Sequence, residues 1–261
     1  MPRHRLQQSR ALITGASSGI GRAVALEFAK HGTSLVLLAR REDRLRALAA
    51  ELQPTGSLVE VVVGDVTDPA VRHAAVDRCQ SRFGGLDVLV NNAGVGAMGR
   101  FVDAGPERLR RVMEVNFFAL VEMTRLALPL LRDGRGPMIV NVSSILGRRA
   151  VPYSCEYSAS KFAVHGFSES LRTELAPLKI GVMVVSPGTT ETEFFDSVLE
   201  KTASPKWPEH RPVTAESVAQ AIVRGMRAGR HEIVPYTWGR LLLALNRLSP
   251  SLCDRLMERY V

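Results

Sequence analysis

The chain has 261 residues, of which 46% are hydrophobic and 23% are charged, an ordinary composition for a globular protein with one α/β domain. No apolar run approaches the roughly 18 residues of a membrane-spanning helix, and residues 1–9 form a short basic tail without the apolar part of a secretory signal, so we expect a cytoplasmic protein. The net charge of +8 comes mostly from scattered arginines, without the interleaved aromatic residues or motifs of nucleic-acid binders, so we expect no nucleic-acid partner.

Cysteines and histidines are too scattered to indicate a disulfide framework or a metal site. Cys79, Cys155 and Cys253 lie far apart, which predicts free thiols. The six histidines form no HExxH or other paired arrangement. We therefore expect no metal.

The first predicted elements are a strand, a glycine turn and a helix. An apolar run from Ala11 ends in glycines at 15, 19 and 21, and helical periodicity follows up to Ala29. Residues 34–39 then predict a second buried strand, which completes the βαβ unit of a dinucleotide site. Glycine lets a pyrophosphate approach the backbone, and the helix N–H groups then face the phosphates. For glycines alone, a tight turn with close helix packing is the alternative.

The spacing of this turn, Thr14-Gly-x-x-x-Gly-x-Gly21, resembles that of the short-chain dehydrogenase/reductase family. The resemblance implies a cofactor loop whose binding residues are Gly15, Ser17, Ser18, Gly19, Ile20 and Gly21.

The end of the second strand, Ala39-Arg40-Arg41, is where the adenosine ribose of a dinucleotide is expected. An acidic residue there would bind both ribose hydroxyls of NAD, whereas Arg40 can pair with the 2′-phosphate of NADP. Ser17 and Ser18 could donate to the same phosphate. We therefore predict NADP as the cofactor; the alternative is that Arg40 only faces solvent.

Two further sites follow the third and fourth predicted strands, residues 58–63 and 86–90, which are separated by a helix over residues 69–83. Asp65 and Val66 follow the third strand and are expected to meet the adenine, a turn-forming Asp being the alternative. After the fourth strand, residues 91–94 read Asn-Asn-Ala-Gly, which matches the NNAG motif of the family. This motif implies cofactor contacts from Asn92, Ala93 and Gly94.

The candidate catalytic residues follow the fifth predicted strand, residues 138–142. That strand ends at Ser143 and Ser144, and Tyr157 and Lys161 follow in a Tyr-x-x-x-Lys helical turn. This spacing places phenol and ammonium on one helix face, where the positive charge should lower the pKa of the tyrosine from its ordinary value near ~10. Tyr157 could then act as a general acid and base near neutrality.

The resemblance assigns a role to each catalytic residue. Tyr157 donates the proton to a carbonyl in reduction and is the base in oxidation, while Ser144 binds the substrate oxygen, with Ser143 as the open alternative. Lys161 binds the nicotinamide ribose. Asn116, which interrupts a helical segment over residues 106–132, completes a proton relay; a hydrogen-bonded helix residue is its alternative role.

The sixth predicted strand, residues 180–185, leads to a turn that is similar to the family's Pro-Gly turn. The resemblance implies that Pro187 and Gly188 lie against the nicotinamide and that Thr192 contacts its carboxamide, with helix capping as the alternative for Thr192. Residues 190–212, which we call the covering segment, cover the substrate in the family. Apolar and aromatic residues here and nearby predict an apolar substrate: Phe194, Phe195, Trp207, Met98, Val151 and Tyr153.

A helix over residues 214–228 and a seventh strand over residues 231–235 complete the predicted domain. Residues 237–261, the C-terminal extension, form short basic and apolar helices. They could cover the substrate, pack on another subunit or lie on a membrane surface.

Together these features predict a single Rossmann-like, doubly wound α/β domain over residues 10–236, with a mostly parallel seven-stranded sheet and helices on both faces. The resemblance implies an NADP(H)-dependent oxidoreductase that interconverts a carbonyl and a secondary alcohol as a homodimer or homotetramer. The alternative is a non-catalytic NADP-binding or membrane-associated scaffold protein.

Overall fold

The backbone alternates between strands and helices in the predicted order. The computed structural model of the chain describes residues 3–4, 6–194, 198–203 and 211–259. Its strands are β1 (Arg10–Thr14), β2 (Ser34–Ala39), β3 (Val59–Val63), β4 (Val88–Asn91), β5 (Met138–Val142), β6 (Gly181–Val185), β7 (Thr190–Glu191), β8 (Val213–Thr214) and β9 (Glu232–Ile233). Its helices are α1 (Gly19–Ala29), α2 (Glu42–Leu52), α3 (Pro69–Phe83), α4 (Pro106–Met113), α5 (Ala119–Arg132), α6 (Cys155–Glu174), α7 (Ala215–Ala228), α8 (Thr237–Leu248) and α9 (Pro250–Glu258).

Within these described residues, seven strands form one sheet in the order β3-β2-β1-β4-β5-β6-β9, and every neighbouring pair is parallel. The chain winds outward from β1 to β3 and then returns to the other side of β1. The strand order therefore reverses between β1 and β4, which is the position where an open α/β sheet binds ligands. The predicted Rossmann-like fold is confirmed.

Both faces of the sheet are buried, as the continuous apolar runs of its strands require. Successive residues of β2 alternate between the two faces: Leu37 belongs to the core that contains Phe28 of α1, and Val36 belongs to the core on the other face, which contains Met123 of α5. The sheet edge that carries the site is thus held between two helical layers.

The predicted helix over residues 106–132 is interrupted. Residues Glu114–Phe118 form a π-helical segment between α4 and α5, with Asn116 at its centre. The sequence indicated an interruption at Asn116, but it did not show that the residues around it form a π turn, which displaces the helix by a single residue. Such segments are frequent at functional sites.

The C-terminal extension folds back onto the domain through α8 and α9. Arg149 donates to Asn246 over 3.2 Å and to Asp254 over 2.8 Å, and Cys253 is fully buried. Across the described ranges, none of the helices is long and apolar enough to span a bilayer.

Candidate active site

A cavity of about 880 Å³ opens at the carboxyl ends of the central strands, which is within the usual size range of ligand pockets. It brings together the predicted site residues that come from seven separate stretches of the chain. Of the residues predicted to be catalytic or to bind the cofactor, only Gly21 and Asn116 do not line the cavity. Each of these two lies directly behind a lining residue.

The glycine loop, residues 15–21, packs against the NNAG segment. Gly15 has φ +66°, and a Cβ there would lie 2.8 Å from Nδ2 of Asn92, whose amide donates to the Gly15 carbonyl over 3.1 Å. A Cβ on Gly21 would meet the same carbonyl. Both glycines therefore allow a close backbone contact, which was the alternative considered for them from the sequence.

The N-terminus of α1 faces the cavity and can receive an anion. Ser18 is the N-cap residue and makes no side-chain capping bond, while Ser18, Gly19 and Ile20 all line the cavity. The first N–H groups of a helix have no intrahelical acceptors and carry partial positive charge. This arrangement fits a phosphate.

Arg41, rather than Arg40, lies over the glycine loop. Arg41 donates to Ser18 Oγ over 2.6 Å and to Ser17 Oγ over 3.2 Å. Arg40 turns the other way, with its side chain 65% exposed and Nη1 3.7 Å from Asp65 Oδ2. Both arginines follow the end of β2 at Ala39, and the sequence held no signal that separated Arg41 from Arg40.

Asp65 has the turn role that was its alternative. Its Oδ1 accepts hydrogen bonds from the backbone N–H and the hydroxyl of Thr67, over 2.9 and 2.8 Å. Asp65 and Val66 nevertheless both line the cavity.

Tyr157 and Lys161 lie on one face of α6, at the wall of the cavity. Lys161 Nζ is 5.6 Å from the centre of the Tyr157 ring and donates to the carbonyl of Val142 over 3.1 Å. Burial lowers the pKa of Lys161 to about 8. Burial also raises the pKa of Tyr157 to about 12, although a hydrogen bond with Ser144 acts in the opposite direction.

The prediction of a lowered tyrosine pKa is therefore wrong for this structure. Removal of the phenol from water disfavours its charged form, and the ammonium is directed at Val142 rather than at the phenol oxygen. The helical spacing correctly predicted that the two groups lie on one face. It gives no information about the free-energy cost of removing the charged phenolate from water, which determines the pKa.

The two adjacent serines have different environments. The Ser144 hydroxyl accepts from the N–H of Leu146 over 3.1 Å, and Ser144 lines the cavity together with Tyr157. The Ser143 hydroxyl turns into α6 and donates to the carbonyl of Lys161 over 3.2 Å. Ser144 is therefore the serine positioned to share a substrate oxygen with Tyr157.

Asn116 lies behind Gly94, and both the oxygen and the nitrogen of its side-chain amide form hydrogen bonds within the protein. Its Oδ1 accepts from Val95 N over 2.8 Å, and its Nδ2 donates to Val95 O over 2.9 Å and to Ser160 Oγ over 3.0 Å. Any part in a proton relay would thus fall to its backbone in the π-helical segment.

Residues 187–194 close the cavity from the other side. A Cβ on Gly188 would clash with the ring of Tyr236, and a Cβ on Gly19 would lie 3.0 Å from the methyl group of Thr192. The Thr192 hydroxyl accepts from the N–H of Phe194 over 3.4 Å. This segment therefore contacts the glycine loop directly.

The apolar end of the cavity contains residues that the sequence did not indicate. Met98, Val151 and Phe194 line it as predicted, whereas Tyr153 does not, and Phe195 and Trp207 lie outside the described residues. Further lining residues come from the C-terminal extension: Trp238, Leu241, Leu242, Leu245, Leu256 and Met257. Covering the substrate was one of the three alternatives for this extension, but its helical spacing alone did not decide among them.

A buried ion pair next to the site was also missed. The Arg108 guanidinium donates twice to Glu156 Oε1, over 3.0 and 2.8 Å, and once to Glu200 over 3.2 Å. Glu156 directly precedes Tyr157, and Glu200 belongs to the covering segment. The side chains of Arg108 and Glu156 are only 2% and 4% exposed.

In the part of the chain that the structure describes, His, Cys, Asp and Glu side chains form no group of three or more that could hold a metal ion. Cys79, Cys155 and Cys253 are free thiols.

Comparison with known proteins gives one consistent family. A family model described as short chain dehydrogenase matches residues 9–203. The 11-beta-hydroxysteroid dehydrogenase A of Sesamum indicum is 38% identical over 241 residues, which cover 88% of this chain and 69% of that protein. The hydroxysteroid 11-beta-dehydrogenase 1-like protein of Homo sapiens is 37% identical over 216 residues, covering 81% of this chain and 68% of that protein.

Two solved structures have the same fold. A short-chain dehydrogenase/reductase from Burkholderia phymatum in complex with NAD superposes with a TM-score of 0.87 at 27% identity, covering 95% of this chain and 96% of that one. An alcohol dehydrogenase from Thermococcus sibiricus, complexed with 5-hydroxy-NADP, has a TM-score of 0.77 at 28% identity and covers 87% of this chain and 95% of that one.

Proposed function

Because this chain belongs to the short-chain dehydrogenase/reductase family of oxidoreductases, we propose that it uses NADP(H) to interconvert a carbonyl and a secondary alcohol on an apolar substrate. The observation that carries this proposal is that Ser144, Tyr157 and Lys161 line one cavity, which joins the glycine loop to an apolar wall.

The residues present fit a dinucleotide. Gly15 and Gly19 have positive φ and bring backbone against the cavity, and the open N-terminus of α1 can bind a pyrophosphate. Asn92, Gly94 and Pro187 would hold the remainder of the cofactor. When bound, the nicotinamide supplies a hydride to a carbonyl carbon or accepts one from an alcohol.

The chain's own residues handle the proton. In reduction, the Tyr157 hydroxyl donates its proton to the carbonyl oxygen, and the Ser144 hydroxyl donates a hydrogen bond to the same oxygen. The Lys161 ammonium, 5.6 Å from the centre of the Tyr157 ring and itself buried, stabilises the phenolate as the proton leaves. In oxidation, the phenolate takes the proton back.

The preference for NADP is supported by Arg41, which already bonds to Ser17 and Ser18. We expect Arg41→Ala to weaken NADPH binding by about 10- to 100-fold, the loss of one charged hydrogen bond to a phosphate, with little change for NADH. Arg40→Ala is the matched control and should have a smaller effect. Calorimetric titration measures both; an equal loss for the two cofactors would remove the 2′-phosphate assignment.

For the substrate, we propose rigid apolar alcohols and ketones of the hydroxysteroid class. Two observations support this class: the similarity to hydroxysteroid dehydrogenases, and an apolar cavity wall that includes Leu242 and Leu245. The test is a panel of steroid, retinoid, fatty-acyl and aromatic carbonyls and alcohols, assayed by nicotinamide absorbance with each cofactor. Turnover of steroids with NADP(H) is expected; cofactor binding without turnover of any compound would favour a non-catalytic scaffold.

The pKa values predict the direction of the pH dependence. Tyr157, with a pKa of about 12, stays protonated near neutrality, so kcat/KM for reduction should be level there. It should fall as the pH rises through about 8, where Lys161 loses its proton. By contrast, kcat/KM for oxidation, which needs the phenolate, should rise with pH below about 8 and level off above it, because the ammonium that stabilises the phenolate is then lost. A reduction profile that rises through this range would contradict these roles.

The extension that lines the cavity should affect the substrate and not the cofactor. We expect Leu242→Ala with Leu245→Ala to raise KM for an apolar substrate roughly tenfold, since apolar surface is lost from the binding wall, and to leave the Kd of NADPH unchanged. Leu248→Ala, on the same helix but 84% exposed, is the control. Equal KM values in all three proteins would show that α8 does not bind the substrate.

A further inference from the structure

Glu193 bridges two arginines at the edge of the proposed NADP site. Its carboxylate accepts hydrogen bonds from Arg41 Nη1 over 2.8 Å and from Arg44 Nη1 over 2.6 and 2.5 Å. The hydrogen bond from Arg44 and, to a smaller extent, the one from Arg41 lower the pKa of Glu193 to about 2. The Glu193 carboxylate therefore carries a full negative charge at any working pH and pairs with both guanidinium groups.

The Glu193 carboxylate lies at Arg41, the residue proposed to bind the negatively charged 2′-phosphate of NADP. Arg41 uses Nη2 for Ser18 and Nη1 for Glu193, so the donor that points away from the glycine loop is taken by the carboxylate. A 2′-phosphate at Arg41 would meet Glu193 as a second anion on the same guanidinium. Like charges in contact repel, and an anion bound there must therefore compete with the carboxylate.

Glu193 also connects α2 to the catalytic side of the cavity. It lies between Thr192, which contacts Gly19, and Phe194, whose ring centre is 5.5 Å from that of Tyr157. The ion pairs with Arg41 and Arg44 thus fix the start of the covering segment to α2.

We propose that Glu193 is an internal competitor of the cofactor's 2′-phosphate. In the free protein it holds Arg41 and Arg44, and binding of NADP(H) exchanges the carboxylate for the phosphate and releases residues 190–194 from α2. NAD(H), which lacks the phosphate, leaves the ion pairs in place. Glu193 thereby affects the preference between NADP(H) and NAD(H) and determines whether the start of the covering segment is held on α2. This inference rests on the proposed function.

The test compares Glu193→Gln with the wild type and with Glu42→Gln. Glu42 is an exposed glutamate of α2 that pairs with Arg46, so its variant has the same change in charge. Calorimetry at fixed ionic strength gives the Kd of NADPH, NADH, 2′-AMP and 5′-AMP. We expect Glu193→Gln to bind NADPH and 2′-AMP about two- to fivefold more tightly, the range of an exposed ion pair, and NADH and 5′-AMP as the wild type does.

Other results would overturn the proposal and identify the reason. Weaker NADPH binding in Glu193→Gln would mean that the carboxylate orients the arginines rather than competing for them. An equal gain in Glu42→Gln would mean a general effect of charge. If the wild type binds neither cofactor, the proposed function itself fails, which is a separate outcome.

Hydrogen exchange provides a second readout that does not depend on activity. In the free protein, the amides of residues 190–194 should exchange faster in Glu193→Gln than in the wild type or Glu42→Gln, because the contact with α2 is weakened. Unchanged exchange would show that the carboxylate does not hold this segment.

Discussion

Tyr157→Phe is expected to lower kcat by about 10²- to 10⁴-fold, the usual contribution of a general acid or base, while the Kd of NADPH stays within about twofold of the wild type. The variant loses only the hydroxyl that donates the proton. The ring, whose centre lies 5.5 Å from that of Phe194, keeps its packing. Steady-state assays by nicotinamide absorbance and calorimetric titration measure the two quantities.

Tyr153→Phe is the control for this experiment. It removes the same atom from a tyrosine that does not line the cavity, and it should retain wild-type turnover. Retained turnover in Tyr157→Phe itself would count decisively against the proposed chemistry.

The second large effect is on stability. Arg108→Met is expected to lower the free energy of unfolding by about 3–5 kcal/mol, since it leaves the Glu156 carboxylate without its cation inside the protein. Glu156 is 4% exposed on its side chain, so water does not replace the lost partner. In a chain of this size that corresponds to a fall in Tm of roughly 6–20 °C, measured by calorimetry.

Two further variants separate the buried charge from other effects. Arg108→Met combined with Glu156→Leu should recover much of the stability, because an apolar pair of similar volume often replaces a buried ion pair without loss. Arg110→Met removes the exposed pair with Glu107 and should cost less than about 1 kcal/mol. An equal loss in the free energy of unfolding for Arg108→Met and Arg110→Met would show that burial of the Arg108–Glu156 pair does not increase the cost of breaking it.

Elements with strong local signals were predicted to the residue. For α3, Asp68 caps the N-terminus, Pro69 opens the helix, and Gly84 ends it with φ +70°, as these residue types favour. The strands β2 and β5 also have the predicted bounds. In each case, the residues that determine the element lie within it or beside it.

Features that depend on distant residues were not predictable. Arg108 and Glu156 are 48 positions apart, and their pairing depends on how α4 packs against α6. The pKa of Tyr157 depends on how many atoms surround the phenol, and the apolar wall depends on where α8 comes to lie. The predicted homo-oligomer and the membrane contact of the C-terminal extension stay predictions.

Hydride transfer is tested most directly by following an isotope from cofactor to product. NADPH carrying deuterium at C4 of the nicotinamide is incubated with the protein and each ketone of the panel, and the alcohol is analysed by mass spectrometry. We expect the label on the carbinol carbon with the wild type, and at least about 10²-fold slower labelling with Tyr157→Phe. Binding of NADPH by the wild type with no labelled alcohol from any ketone would contradict the central claim.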